Sequence, residues 1–146
     1  MFIGKYYHQL EEKGRVSLPK KFRKNEQLII TRGLDGGLFL YPQNEWIKTV
    51  ELLSKQPDTK QKNRDYLRLM TNDAQEVETD TLGRITIPEY LRQFAKLTKQ
   101  LVIIGSYSKI EIWDMKTYHD YLDRIEGKME EIAESLDITP AQESHL

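Results

Sequence analysis

Glu11-Glu12-Lys13-Gly14-Arg15-Val16-Ser17-Leu18-Pro19-Lys20-Lys21-Phe22-Arg23 is written a second time, 69 positions downstream and without gaps, as Asp80-Thr81-Leu82-Gly83-Arg84-Ile85-Thr86-Ile87-Pro88-Glu89-Tyr90-Leu91-Arg92. Four of the thirteen positions are identical: Gly14/Gly83, Arg15/Arg84, Pro19/Pro88 and Arg23/Arg92. Five more keep their chemistry, among them Glu11/Asp80 and Val16/Ile85. After a small indel the echo continues, residues 28–31 answering 101–104 and 38–41 answering 110–113. Self-similarity at a fixed offset marks a duplicated supersecondary unit.

Each copy predicts the same order of elements. A strand leads into a turn at the glycine, and a short strand follows over 15–18 or 84–87. Pro19 and Pro88 suit the first turn of a short helix, where proline's missing N–H would be unpaired anyway. Those helices are expected over 20–24 and 89–95. Two further strands then pair across Gly33-Leu34-Asp35-Gly36-Gly37 in one copy and Gly105-Ser106-Tyr107-Ser108 in the other.

A helix closes each copy. The first starts near Pro42, carries Trp46, Ile47, Val50 and Leu53 on one face, and ends before Pro57. The second starts at Asp114, a good N-cap. It carries Tyr118, Leu122, Ile125, Met129, Ile132 and Leu136, a heptad-like seam that can pack on its own domain or on a neighbouring subunit. Between the copies, a helix capped by Asp58 or Thr59 is expected through Tyr66, Leu67 and Met70. The stretch from 137 to 146 has no periodicity and predicts a frayed tail.

The 146 residues are 38% hydrophobic and 31% charged, a globular composition with enough aliphatic and aromatic side chains for a core. No cysteine is present, which excludes disulfides, thiol catalysis and Cys-based metal sites. The longest strongly apolar run, Leu101-Val102-Ile103-Ile104, is far too short to span a bilayer. The opening residues turn polar at once and contain no signal-peptide core, so a cytoplasmic location is expected. The net charge of −1 hides a dipole: residues 1–32 carry a net of +5 and residues 111–136 a net of −5. The basic end can meet phosphates.

An acid followed by Gly-Arg three and four positions later has a physical use. Glycine permits a left-handed turn. The carboxylate of Glu11 or Asp80 is then near enough to pair with Arg15 or Arg84 and orient it. An arginine held on a rigid loop at a strand edge suits phosphate contact or the bidentate reading of a guanine edge. The same pair can also serve only as a staple for the turn. Leu82 stands where the first copy has Lys13, and Glu89 where it has Lys20, so if both loops reach DNA the first is expected to bring more charge. Lys13 and Arg15 lead, with Arg84, Lys5, Lys20, Lys21 and Arg23 in support.

These two blocks, joined to Gly105 and Glu111-Ile112-Trp113-Asp114, resemble the MraZ family of bacterial transcriptional regulators, within the wider AbrB-like swapped-hairpin group. The resemblance covers roughly residues 1–136. It implies an α+β fold in which two tandem AbrB-like swapped-hairpin β-units form one pseudo-symmetric small barrel with peripheral helices. SpoVT-AbrB-like units would occupy 5–48 and 77–120, joined by a helical connector over 49–76, with a C-terminal helix and tail over 121–146. It further implies ring-shaped homo-oligomers and nucleoid-associated binding of double-stranded DNA, at short direct repeats upstream of the division and cell-wall gene cluster. The family's acid–Arg motif falls on Glu11 and Arg15, and on Asp80 and Arg84. The first copy has Glu11 where the family pattern has aspartate, a carboxylate displaced by one methylene.

Other classes fit the residues less well. His8, His119 and His145 are scattered without metal-ligand spacing. The Gly33–Gly37 stretch lacks the Lys-Ser/Thr of a P-loop and reads as a hairpin turn. Glu11-Glu12 and Glu130-Glu131 read as surface charge. No enzyme activity, metal, cofactor, membrane contact or small-molecule effector is expected. An AbrB-like antitoxin would carry one β-unit and a long extended tail, and a purely structural ring would not bind DNA at all.

Overall fold

The structure, a computed structural model, describes residues 1–136. The expected tail from 137 onward lies outside them. Among the described residues the chain is α+β, with strands β1 (Lys5–Gln9), β2 (Arg15–Ser17), β3 (Leu28–Arg32) and β4 (Leu38–Pro42) in the first copy. The second copy supplies β5 (Gln75–Val77), β6 (Arg84–Thr86), β7 (Gln100–Ser106) and β8 (Lys109–Asp114). The α-helices are α1 (Gln43–Ser54), α2 (Gln61–Asn72), α3 (Glu89–Phe94), α4 (Met115–Ile125) and α5 (Met129–Ser135).

Six strands form one antiparallel sheet in the order β1-β7-β8-β4-β3-β5, and β2 and β6 form a separate two-stranded ribbon. The order reads the same from either end once each strand is replaced by its repeat equivalent. Each copy's leading strand pairs with the other copy's hairpin: Tyr7 of β1 lies opposite Val102, and Glu76 of β5 opposite Ile29. Equivalent residues face each other at two places, Val16 opposite Ile85 in the ribbon and Phe39 opposite Glu111 in the sheet. An approximate twofold axis therefore runs through both.

The ribbon's inner residues close over the sheet. Val16, Leu18, Ile85 and Ile87 form one core with Phe22, Leu91 and the inward residues of β3, β4, β7 and β8, including Leu28, Ile30, Leu101 and Ile103. Every large side chain buried there is worth about 1.5–3 kcal/mol relative to exposure. Because both copies contribute to the same cluster, the core of either half is completed by the other.

The sheet's outer face is covered by helices, which is why β4 is buried at every position. Phe39, Tyr41 and Met70 pack there with Trp46, Leu53 and Tyr66 from α1 and α2. The buried Thr31 hydroxyl donates to the Met70 carbonyl at 2.8 Å, tying α2 to β3. Lys60, with no side-chain cap bond, occupies the position before α2, where Asp58 or Thr59 was expected. The loop is tied instead by Asn63 and Arg64, whose side chains donate to the Pro57 and Asp58 carbonyls at 2.8 Å. Both proline-led helices start where expected, directly after Pro19 and Pro88, but the first is only a three-residue 3-10 turn (Lys20–Phe22) and the second, α3, ends at Phe94.

Asp114 caps α4 as its sequence position predicts. Its carboxylate accepts from Thr117 N at 3.3 Å, and also from Thr98 N at 3.0 Å and Thr98 Oγ1 at 2.6 Å. Burial alone would raise its pKa, but these hydrogen bonds outweigh burial and hold it below the ordinary range. Asp114→Ala removes the cap and both hydrogen bonds to exposed Thr98, an expected loss of about 1–2 kcal/mol measurable by urea unfolding.

The expected C-terminal seam is not one helix. A 3-10 turn at Glu126–Lys128, centred on Gly127, separates α4 from α5. Glycine is the weakest helix former after proline, which accounts for the break. Beyond it Met129 is 77% exposed and Leu136 55% exposed, so that half of the stripe has no packing partner within the described chain.

Candidate nucleic-acid interface

The two copies of the repeated loop lie side by side on the β2–β6 ribbon. Arg15 stands opposite Thr86 and Ser17 opposite Arg84. Facing residues in an antiparallel pair point to the same side, so all four emerge on the face away from buried Val16 and Ile85. Arg15 and Arg84 are diagonal neighbours, about 7–8 Å apart at their backbones by strand geometry.

Backbone bonding is the same in both loops. Gly14 N donates to Glu11 O at 3.2 Å and Glu11 N to Arg15 O at 2.7 Å, with matching bonds of 2.9 and 2.8 Å between Gly83, Asp80 and Arg84. Both glycines take the predicted left-handed conformation, with φ of 75° and 79°. Each loop is also hydrogen-bonded to the other copy, Leu18 N to Gly83 O at 3.0 Å and Ile87 N to Gly14 O at 2.8 Å.

The glycines have a second role that their turns did not reveal. A Cβ at Gly14 would lie 2.7 Å from the Arg92 guanidinium, and one at Gly83 would overlap that of Arg23. Arg23 Nε donates to Leu18 O, and Arg92 Nε to Ile87 O, each at 2.9 Å. Each arginine thus bonds the backbone of its own copy and lies flat against the glycine of the other. Arg92 was not among the expected site residues. Its identity with Arg23 in the repeat was the available signal.

The side chains differ between the loops. Asp80 Oδ1 accepts from Leu82 N and Arg84 N, both at 2.9 Å, while Oδ2 accepts from Arg84 Nε at 2.8 Å. The Arg84 backbone N–H is the largest influence holding Asp80 below its ordinary pKa, and the guanidinium and Leu82 N–H add to it. The hydrogen bond to Asp80 in turn pushes Arg84 up, with Glu11 contributing.

Glu11 does not orient Arg15. It reaches across the axis to Arg84 Nη1 at 3.2 Å, because its extra methylene carries the carboxylate past its own loop. Arg15 keeps only a bond from Nε to Glu12 O at 3.3 Å. The expected pairing therefore holds for Asp80 and Arg84 and fails for Glu11 and Arg15. Among the described residues, Lys13, Arg15, Lys20, Lys21 and Arg23 have no carboxylate within ion-pair distance. Lys13 is exposed at the tip of its loop with φ 63°, and exposed Leu82 occupies the equivalent tip.

Asp80, with its lowered pKa, stabilises the fold above the unfolded carboxylate's value near pH 4. That contribution is lost as pH falls through the lowered folded value. Asp80→Asn is expected to lower stability at neutral pH and to converge with the unsubstituted protein well below about pH 4, which flattens the acid limb of its stability-versus-pH curve. An acid limb identical to that of the unsubstituted protein would show that the carboxylate is not coupled to folding.

A family model described as MraZ protein, antitoxin-like, matches residues 1–69 and again residues 70–137. The chain belongs to the MraZ family. The two matches account for the twofold arrangement of the sheet, and their junction falls within α2. MraZ proteins are a regulator-like rather than an enzymatic family. Among the described residues no helix is long and apolar enough to cross a membrane.

Proposed function

We propose that this MraZ-family chain is a sequence-specific DNA-binding transcriptional regulator, acting from a cytoplasmic, nucleoid-associated location as a homo-oligomeric ring. Its targets are short direct repeats upstream of the division and cell-wall gene cluster. The architecture behind this function is a pair of swapped-hairpin units closed into a small pseudo-symmetric barrel. The observation that carries it is the β2–β6 ribbon, which presents Arg15 and Arg84 from one face with Lys13 at a loop tip. A two-stranded ribbon fits the major groove of duplex DNA, and arginine is the commonest reader of guanine there. Lys20 and Arg23 line a groove beside Pro19, just after β2.

A single protomer offers few phosphate contacts and binds weakly. A ring raises affinity by effective concentration when the DNA carries several repeats. Gel shifts with upstream duplexes of one to four repeats are expected to show affinity rising steeply with repeat number. Equal affinity for one repeat and four would sink the ring model, and no binding at low salt would favour a structural role. The antitoxin-like description suggests a toxin partner as an alternative. Two β-units followed by helices α4 and α5 suit that role less well than a single unit with an extended tail.

A further inference from the structure

The approximate twofold axis relates the backbones of the two copies but not their charge. Residues 5–24 carry a net charge of +5, and their equivalents, residues 74–93, a net of −2. Three exchanges point the same way around the ribbon: Lys13 for Leu82, Lys20 for Glu89 and Lys21 for Tyr90. Glu12 for Thr81 runs the other way. On the first side a groove of about 390 Å³ beside Pro19 is lined by His8, Lys20, Lys21 and Arg23, with no carboxylate on its walls. On the second side Glu89 stands in place of Lys20, and the Tyr90 hydroxyl donates to the Asp73 carbonyl at 2.9 Å. The second arginine is itself covered by two carboxylates, Asp80 and Glu11, whereas Arg15 has none.

We propose that duplex DNA lies off the pseudo-twofold axis, displaced onto the first copy's flank, where Lys20, Lys21 and the groove beside Pro19 hold the phosphate backbone. This inference rests on the DNA-binding function proposed above. The physical reason is that duplex backbone has its own dyad. A symmetric ribbon would sit on that dyad and take equal phosphate contacts from both flanks. With cations on one flank and Glu89 on the other, the free energy falls as the duplex shifts toward the cations. The second copy then contributes Arg84 at the centre and the apolar Leu82 tip, which has nothing to offer a phosphate.

The absence of cysteine permits a direct test. Lys20→Cys and Glu89→Cys occupy equivalent, exposed positions, and each would be labelled with an iron–EDTA cleavage reagent on otherwise unsubstituted protein bound to the upstream repeat duplex. Strong backbone cutting from position 20 and little from position 89 is the expected result. In parallel, Lys20→Gln/Lys21→Gln is expected to lower the slope of log K against log salt by about 2 per engaged protomer, at −0.9 per phosphate contact. Glu89→Gln/Tyr90→Phe should leave the slope unchanged. Equal cutting from both positions, or an unchanged slope in the lysine variant, overturns the off-axis placement while leaving DNA binding intact. Failure of the unsubstituted protein to bind the duplex overturns both proposals.

Discussion

Gly83→Ala is expected to destabilise the protein by about 3–4 kcal/mol, lowering its melting temperature by about 8–12 °C. Two costs add. A left-handed conformation with φ 79° costs an alanine about 1–2 kcal/mol. The new Cβ also collides with the Arg23 guanidinium and displaces it from the Leu18 carbonyl, at about 1–3 kcal/mol for a partly buried donor. The second cost can be isolated. In an Arg23→Ala background the collision is gone, so Gly83→Ala should cost only its conformational part. The double-mutant cycle then gives a coupling of about 1–2 kcal/mol between residues in different copies. A loss of under about 1 kcal/mol in the single variant, or strict additivity, would show that the arginine yields freely.

Arg15→Ala should weaken specific DNA binding about ten- to a hundred-fold per engaged protomer, at about 1–3 kcal/mol for an arginine–guanine contact. Its melting temperature should be nearly unchanged. The structure gives Arg15 little to do in the fold: one 3.3 Å bond to a carbonyl and no ion pair. Arg84→Ala is the contrasting case. It leaves Asp80 and Glu11 without their shared cation, so affinity and stability should fall together. Circular dichroism and gel shifts on both variants separate the two patterns. Unfolding of Arg15→Ala would return its loop to the role of a structural staple.

Much of this was legible in the chain. The duplication, the left-handed glycines, both hairpins, the closing helices and the Asp114 cap follow from neighbours within a few residues, where periodicity and turn chemistry act directly. The Asp80–Arg84 pair was legible for the same reason, since both ends belong to one tight turn. Elements misread were ones where a local rule lost to a competing one. The C-terminal seam kept its heptad spacing, but Gly127 cost too much helix propensity for the stripe to continue unbroken.

What the sequence determined by itself is therefore the unit: a Gly-Arg turn, a short strand, a proline-led turn and a hairpin, written twice. Tertiary structure decided how the units meet. That β1 pairs with β7 and β5 with β3 depends on burying the inward faces of both copies in one core, a relation between segments far apart in sequence. The same distance hid the reach of Glu11 to Arg84 and the seating of Arg23 on Gly83. Patterns of local sequence report which face of an element is apolar, but not which partner will cover it. Only the folded chain shows that the repeated loops come together, and that the arginine free of carboxylates is the first copy's.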